Sequence, residues 1–269
     1  MYETIKTDLK DGILTLALDR PEQMNAYTYK MNEELIDFYK KVNADDEVRV
    51  IVVTGSGRAF CAGMDLSTGG DAFATEKSAE DFRDIGGVAS LRTYELEKPI
   101  IAAINGPAVG IGLTMTLPMD IRIIKKDVKI GFVFNRRGVG PEAGSGWFLP
   151  RLVGIGKALE WTLTGRYIPT DEALANGLVQ YVEDDPLAKA YEIAREIADN
   201  TAATSSRYAR QLMWRMLGEN HPEASHLIES KFYHWAGSNK DAEEGIQSFI
   251  EKRPAKFPLK ASEMPDFFK

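Results

Sequence analysis

The carboxylate of Glu142 stands in the run Gly138-Val139-Gly140-Pro141-Glu142-Ala143-Gly144-Ser145-Gly146-Trp147, with Val139, Ala143 and Trp147 as its apolar flanks. A carboxyl group in apolar surroundings holds its proton more tightly. Once its pKa approaches the working pH, it can take up and return a proton during a reaction. The same run has a plainer reading. Proline at the first helical position with an acid in the first turn favours a helix, here opening at Pro141 and running to about Leu152. Two further segments are rich in small residues: Gly57-Arg58-Ala59-Phe60-Cys61-Ala62-Gly63-Met64-Asp65-Leu66 and Ile104-Asn105-Gly106-Pro107-Ala108-Val109-Gly110-Ile111-Gly112. Each follows an apolar, strand-like run. Small residues let backbone approach a ligand, and the start of a helix offers free N–H groups. Two such loops can aim two N–H donors at one developing oxyanion, or they can be tight turns that packing requires.

Other chemistries lack their residues. His221, His226 and His234 lie together near the C-terminal end, without the His-Glu-x-x-His spacing of a zinc site, so no metal is expected. The residue two before Ser145 is Ala143, so no nucleophile elbow exists. No phosphate-binding loop occurs, and Gly110-Ile111-Gly112 is too little for a dinucleotide fingerprint. The single cysteine, Cys61, cannot form an internal disulfide and fits a reducing compartment. A net charge of −7 argues against a nucleic-acid partner. No apolar run approaches the ~20 residues of a membrane span. With no targeting segment apparent before Leu9, the expected location is cytoplasmic, away from membranes.

The elements that must position these residues follow from periodicity. Residues 2–9 and 13–18 alternate as strands around the turn Asp11-Gly12. Met31, Leu35, Phe38, Tyr39 and Val42 repeat at helical spacing over 28–43, with Thr28 as a cap. Residues 48–54 and 100–104 are nearly continuous apolar runs, as in strands buried on both faces. Between them, 67–87 reads as a loop feeding a helix toward Tyr94. After Gly112 an apolar helix is expected up to Leu117, ended by Pro118. Ile121–Ile124 and Val128–Gly131 read as short strands. Helical patterns then fill 155–165, 170–176, 186–200, 203–218, 222–237 and 241–252. The alternation of strand and helix argues for an α/β core over about residues 1–180, followed by a helical region over 181–269.

Taken in order, the three segments resemble the enoyl-CoA hydratase/isomerase (crotonase) family, collinearly from about Ile13 to Phe257. Arg20-Pro21-Glu22-Gln23-Met24-Asn25-Ala26 is similar to its early coenzyme loop. Thr164-Gly165-Arg166 and Ala173 to Val182 match a later segment. The resemblance implies a repeated ββα spiral core and a helical C-terminal region that makes trimers, often paired into hexamers. It implies an acyl-CoA substrate, with coenzyme A as part of the thioester and no permanently bound cofactor. By resemblance the N–H groups of Met64 and Ile111 hold the thioester oxyanion. Coenzyme contacts fall at Met24, Ala26, Ala62, Asp65, Leu66 and Lys252, although Lys252 with Arg253 can equally be a charged pair closing a helix.

The family's hydratases use two glutamates, where this sequence has Thr114 and Phe134. An acid at Glu142 instead resembles the peroxisomal type of Δ3,Δ2-enoyl-CoA isomerase. The first expectation is therefore an isomerase with Glu142 as sole base. The second is a hydratase or other family reaction whose base is Glu142, Asp65 or one of Asp71, Glu80, Asp84 and Glu95. The third is a catalytically silent acyl-CoA-binding protein.

Overall fold

The computed structural model describes residues 2–67, 69 and 74–269. β1 (Ile5–Lys10) and β2 (Ile13–Leu18) form the expected antiparallel hairpin, with Ile5 opposite Leu18. Asp11 and Gly12 both take positive φ, at 49° and 77°, the backbone twist that suits a two-residue hairpin. α1 (Tyr29–Asn43) starts where Thr28 Oγ1 accepts a hydrogen bond from the Met31 N–H at 3.1 Å. Its stripe of Met31, Leu35, Phe38, Tyr39 and Val42 is buried, each such side chain contributing about 1.5–3 kcal/mol.

β3 (Val50–Gly55), α2 (Ile85–Tyr94) and β4 (Ile100–Ile104) follow. Next come β5 (Ala108–Val109), α3 (Ile111–Thr114), β6 (Ile121–Lys125) and β7 (Ile130–Gly131). α4 (Ser145–Val153), α5 (Ile155–Thr164), α6 (Thr170–Ala175) and β8 (Tyr181–Glu183) complete the strand-bearing part. One six-stranded sheet runs β1-β2-β3-β4-β6-β8, parallel throughout except for the hairpin. A second, two-stranded sheet pairs β5 with β7.

Side chains of β3 alternate between two cores. Ile51 and Val53 join the cluster that includes α1, whereas Val50 and Val52 face Ala190 and Ala194 of α7 (Pro186–Asn200). α8 (Ala203–Met216), α9 (Pro222–Ala236) and α10 (Lys240–Glu251) pack beyond it. Tyr208, Leu212, Phe232 and Met264 form a separate cluster there. Arg210 of α8 ties these helices to the sheet. It donates to Asp120 Oδ2 at 2.9 Å and to the carbonyls of Thr93, Tyr94 and Leu96.

The short strands β5 and β8 are absent from the sequence reading, β8 adding a sheet strand where a helical region is expected, and two helices also differ from it. α3 is one turn long, not a helix to Leu117, because tighter bonds close the chain: Thr116 N–H to Leu113 O, and Leu117 N–H to Thr114 O. Pro118 has no N–H with which to extend it. The helix expected from Pro141 begins only at Ser145, because Ala143 and Gly144 stand in the left-handed region at φ 56° and 69°. Glu142 is therefore not an acid in a helical first turn, and that explanation of its presence falls away.

Candidate active site

Two loops leave the carboxyl ends of the neighbouring parallel strands β3 and β4, where ligands of α/β sheets collect. They are stitched together by backbone. Cys61 N–H donates to Pro107 O at 3.0 Å and Val109 N–H to Cys61 O at 3.1 Å. Gly112 makes the approach possible, since a Cβ there would lie 2.1 Å from Cys61 O. A third strand of chain, the early loop, joins them: Ala62 N–H donates to Met24 O at 3.0 Å and Tyr27 N–H to Gly63 O at 2.8 Å. Buried Asn25 locks that loop, its amide donating to Ser56 O at 2.9 Å and Ala59 O at 2.8 Å. Arg20 reaches across to Ala26 O at 2.5 Å and Asp65 Oδ2 at 3.0 Å.

A cleft of about 530 Å³ opens between the loops, lined by Met24, Ala62, Met64, Leu66, Ile111 and Glu142 together with Phe134 and Val139. Among the described residues, the N–H groups of Met64 and Ile111 donate to no protein acceptor. Two unpaired donors in one cleft can hold an oxygen that gains negative charge.

Glu142 is half-buried in the wall of this cleft. Its carboxylate accepts a hydrogen bond from Thr114 Oγ1 at 2.5 Å. Its carbonyl accepts from Ser145 N–H at 2.9 Å and from the Ser145 hydroxyl at 2.6 Å. Burial pushes its pKa from 4.5 up to about 8, opposed by the Thr114 hydrogen bond and reinforced by the charge of Asp84. Such a group exchanges a proton near neutral pH.

Of the residues singled out in the sequence, the fold gathers Met24, Ala62, Met64, Leu66, Ile111 and Glu142 around the cleft. Ala26 and Asp65 stand behind it, held by Arg20. Lys252 ends α10 as an exposed residue with φ 55°, apart from the cleft of the single chain. Among the other acids, Asp84 lines the cleft. Glu80 is exposed, Glu95 pairs with Arg92 at the end of α2, and Asp71 lies outside the described residues. Sequence reasoning missed what Thr114 and Asp84 do. Thr114, which cannot act as a carboxylate, turns its hydroxyl onto Glu142. Asp84 precedes Gly86-Gly87 and α2, a local capping signal, but nothing local shows its reach to Ala143. No group of His, Cys, Asp and Glu suited to a metal occurs among the described residues.

A family model described as enoyl-CoA hydratase/isomerase matches residues 8–260. The chain belongs to the enoyl-CoA hydratase/isomerase family. It is similar to an enoyl-CoA hydratase of Alternaria alternata, 41% identical over 250 residues that cover 92% of this chain and 83% of the relative. It is also similar to the 1,2-epoxyphenylacetyl-CoA isomerase of Escherichia coli K12, 33% identical over 269 residues covering 96% and 99%. The crystal structure of an enoyl-CoA hydratase from Bacillus anthracis superposes with a TM-score of 0.88, at 31% identity, over 95% of this chain and 99% of that one. The chain thus has the crotonase-like α/β fold of a family that acts on coenzyme A thioesters.

Proposed function

We propose that this enzyme shifts the double bond of a 3-enoyl-CoA into conjugation, with Glu142 as its single base. The carboxylate removes a proton from C2, and the electron pair moves into the thioester, whose oxygen becomes an enolate oxygen. The N–H groups of Met64 and Ile111 hold that charge. Collapse of the enolate moves the double bond to C2–C3, while C4 takes the same proton back from Glu142. Removing one donor of such a pair costs roughly 10²–10³-fold in rate. What supports the reading is the proton-exchanging carboxyl of Glu142 in a cleft with two unpaired N–H groups, while Thr114 and Phe134 can do no carboxylate work. Coenzyme contacts in this reading come from Met24, Ala26, Ala62, Asp65 and Leu66, with Lys252 reaching a coenzyme only in an assembly.

Water addition to a 2-enoyl-CoA is the second reading, favoured by the name of the 41% identical Alternaria relative. Purified protein given a 3-enoyl-CoA and, separately, a 2-enoyl-CoA decides between them by product mass and absorbance. Conjugation of the first without hydration of the second supports isomerisation. Hydration of the second that outruns conjugation of the first overturns it.

The same proposal divides the chain. Residues 1–180 carry binding and chemistry, and 181–269 carry assembly into a trimer or a pair of trimers. Support comes from exposed apolar residues that a lone chain leaves in water: Phe249 at 83%, Ile246 and Ile250 on α10, and Leu227 and Tyr233 on α9. Light scattering is expected to give three or six chain masses, and a monomer contradicts it. The setting is proposed to be the cytoplasm. Among the described residues no helix is long and apolar enough to cross a membrane.

A further inference from the structure

We propose that Asp84 is the positioning residue of this site: it clamps the peptide that carries Glu142 and sets a fixed negative charge against that carboxyl group. The inference rests on the reading of Glu142 as the base. Asp84 spends both oxygens on backbone. Oδ1 accepts from the Gly86 N–H at 3.2 Å, and Oδ2 accepts from Gly87 N–H at 2.7 Å and from Ala143 N–H at 2.8 Å. The first two bonds cap α2. The third crosses 59 residues of sequence to the amide that follows Glu142.

That amide belongs to a residue in a costly conformation. Ala143 is buried with φ 56°, a region an L-residue with a Cβ avoids. Such a conformation persists where surrounding contacts dictate it. Here Ser145 holds the Glu142 carbonyl of the Glu142–Ala143 peptide and Asp84 holds its N–H. The backbone of α2 then closes on the reactive group itself. At Gly86 a Cβ would sit 2.5 Å from Glu142 Oε2 and 2.5 Å from Ile111 Cδ1. The Asp84 cap therefore places α2, Glu142 and the Ile111 end of the cleft relative to one another.

Its three N–H partners take up most of the acceptor sites of the Asp84 carboxylate, committing it to backbone. The charge remains, and like charge nearby makes Glu142 hold its proton more tightly. The other groups that face Glu142 are Thr114, Tyr27 and Cys61. Burial pushes Cys61 up to about 12 and Tyr27 well above its ordinary value, so both stay neutral. The cations of the cleft are Lys129 and Arg137, both exposed.

The test compares wild type, Asp84→Asn, Asp84→Glu, Glu142→Gln and Asp84→Asn/Glu142→Gln on the 3-enoyl-CoA, with folding followed by near-UV circular dichroism. Asp84→Asn is expected to lose roughly 10²-fold in kcat, the scale of a misplaced catalytic group, with KM little changed. The rising limb of kcat/KM against pH should move to lower pH. Asp84→Glu keeps a negative charge beside Glu142 but shifts the backbone clamp, so kcat falls while the limb stays. The double variant should be no slower than Glu142→Gln. Wild-type kcat and limb in a folded Asp84→Asn overturn the proposal, as does a double variant well below Glu142→Gln, which would put Asp84 in direct contact with the reaction. Should Asp84→Asn not fold, Asp84→Glu decides: lowered kcat with an unmoved limb is expected, and wild-type kcat overturns. Full turnover by Glu142→Gln instead sinks the reading of Glu142 itself, an outcome distinct from a silent Asp84.

Discussion

Glu142→Gln is expected to stabilise the protein above neutral pH while slowing its chemistry. Burial raises the carboxyl pKa from 4.5 to about 8. Between those values the folded protein keeps a proton that the unfolded chain releases, so stability falls as pH rises through the window. Below it both states are protonated and the cost vanishes; above about 8 the cost is complete. At about 1.4 kcal/mol per pH unit the displacement is worth at most about 5 kcal/mol. Glu142 still touches water in the cleft, so screening leaves about 2 kcal/mol. Glutamine keeps an acceptor for the Thr114 hydroxyl and carries no charge to desolvate. For a chain of this size about 2 kcal/mol corresponds to roughly 4–8 °C in Tm. Thermal unfolding of both proteins, at one protein concentration from about pH 4 to pH 9, is the assay. The curves should coincide at the acid end and separate progressively through the window, with the variant higher. Parallel curves, or a variant less stable at alkaline pH, would refute the electrostatic argument.

Thr114→Val removes the hydrogen bond that favours ionised Glu142. The rising limb of kcat/KM should move to higher pH, with a loss of roughly tenfold at neutral pH from one charged hydrogen bond; an unmoved limb contradicts it. Gly112→Ala drives a Cβ into Cys61 O, a backbone atom 2.1 Å away. Separation of the two loops should cost about 1–3 kcal/mol and lower kcat more than KM, seen by melting and steady-state kinetics. Arg210→Met removes the cation paired with Asp120 and the side-chain donor to several carbonyls. A loss of about 3–5 kcal/mol is expected in urea unfolding, and a midpoint equal to wild type would remove Arg210 as the tie between α8 and the sheet.

Much of the fold is legible in the sequence because its signals are local. Asp11-Gly12 between alternating runs gives the first hairpin, and the helical repeats from Ile155 onward fall within a residue or two of α5 to α10. The loops after β3 and β4 are legible as backbone that must approach something closely. What escapes is set at long range. The left-handed turn at Ala143 and Gly144 carries a hydrogen bond from the Ala143 N–H to Asp84, 59 residues away. Proline followed by an acid reads as a helix start in isolation, whereas the left-handed Ala143 and Gly144 put that start at Ser145. Thr114 is similar: its type says that it cannot act as a base, and only the fold shows its hydroxyl against Glu142. Lys252 is the opposite case, a residue named by resemblance that the single chain leaves apart from the cleft.

The central claim, that the carboxylate of Glu142 is the base that moves the proton, is tested most directly by single-turnover conversion of a 3-enoyl-CoA by wild type and Glu142→Gln at saturating enzyme. Loss of the base should slow formation of the conjugated product by roughly 10²–10⁴-fold, the range for a positioned general base, while the thioester still binds. Conversion by Glu142→Gln at the wild-type rate would contradict it.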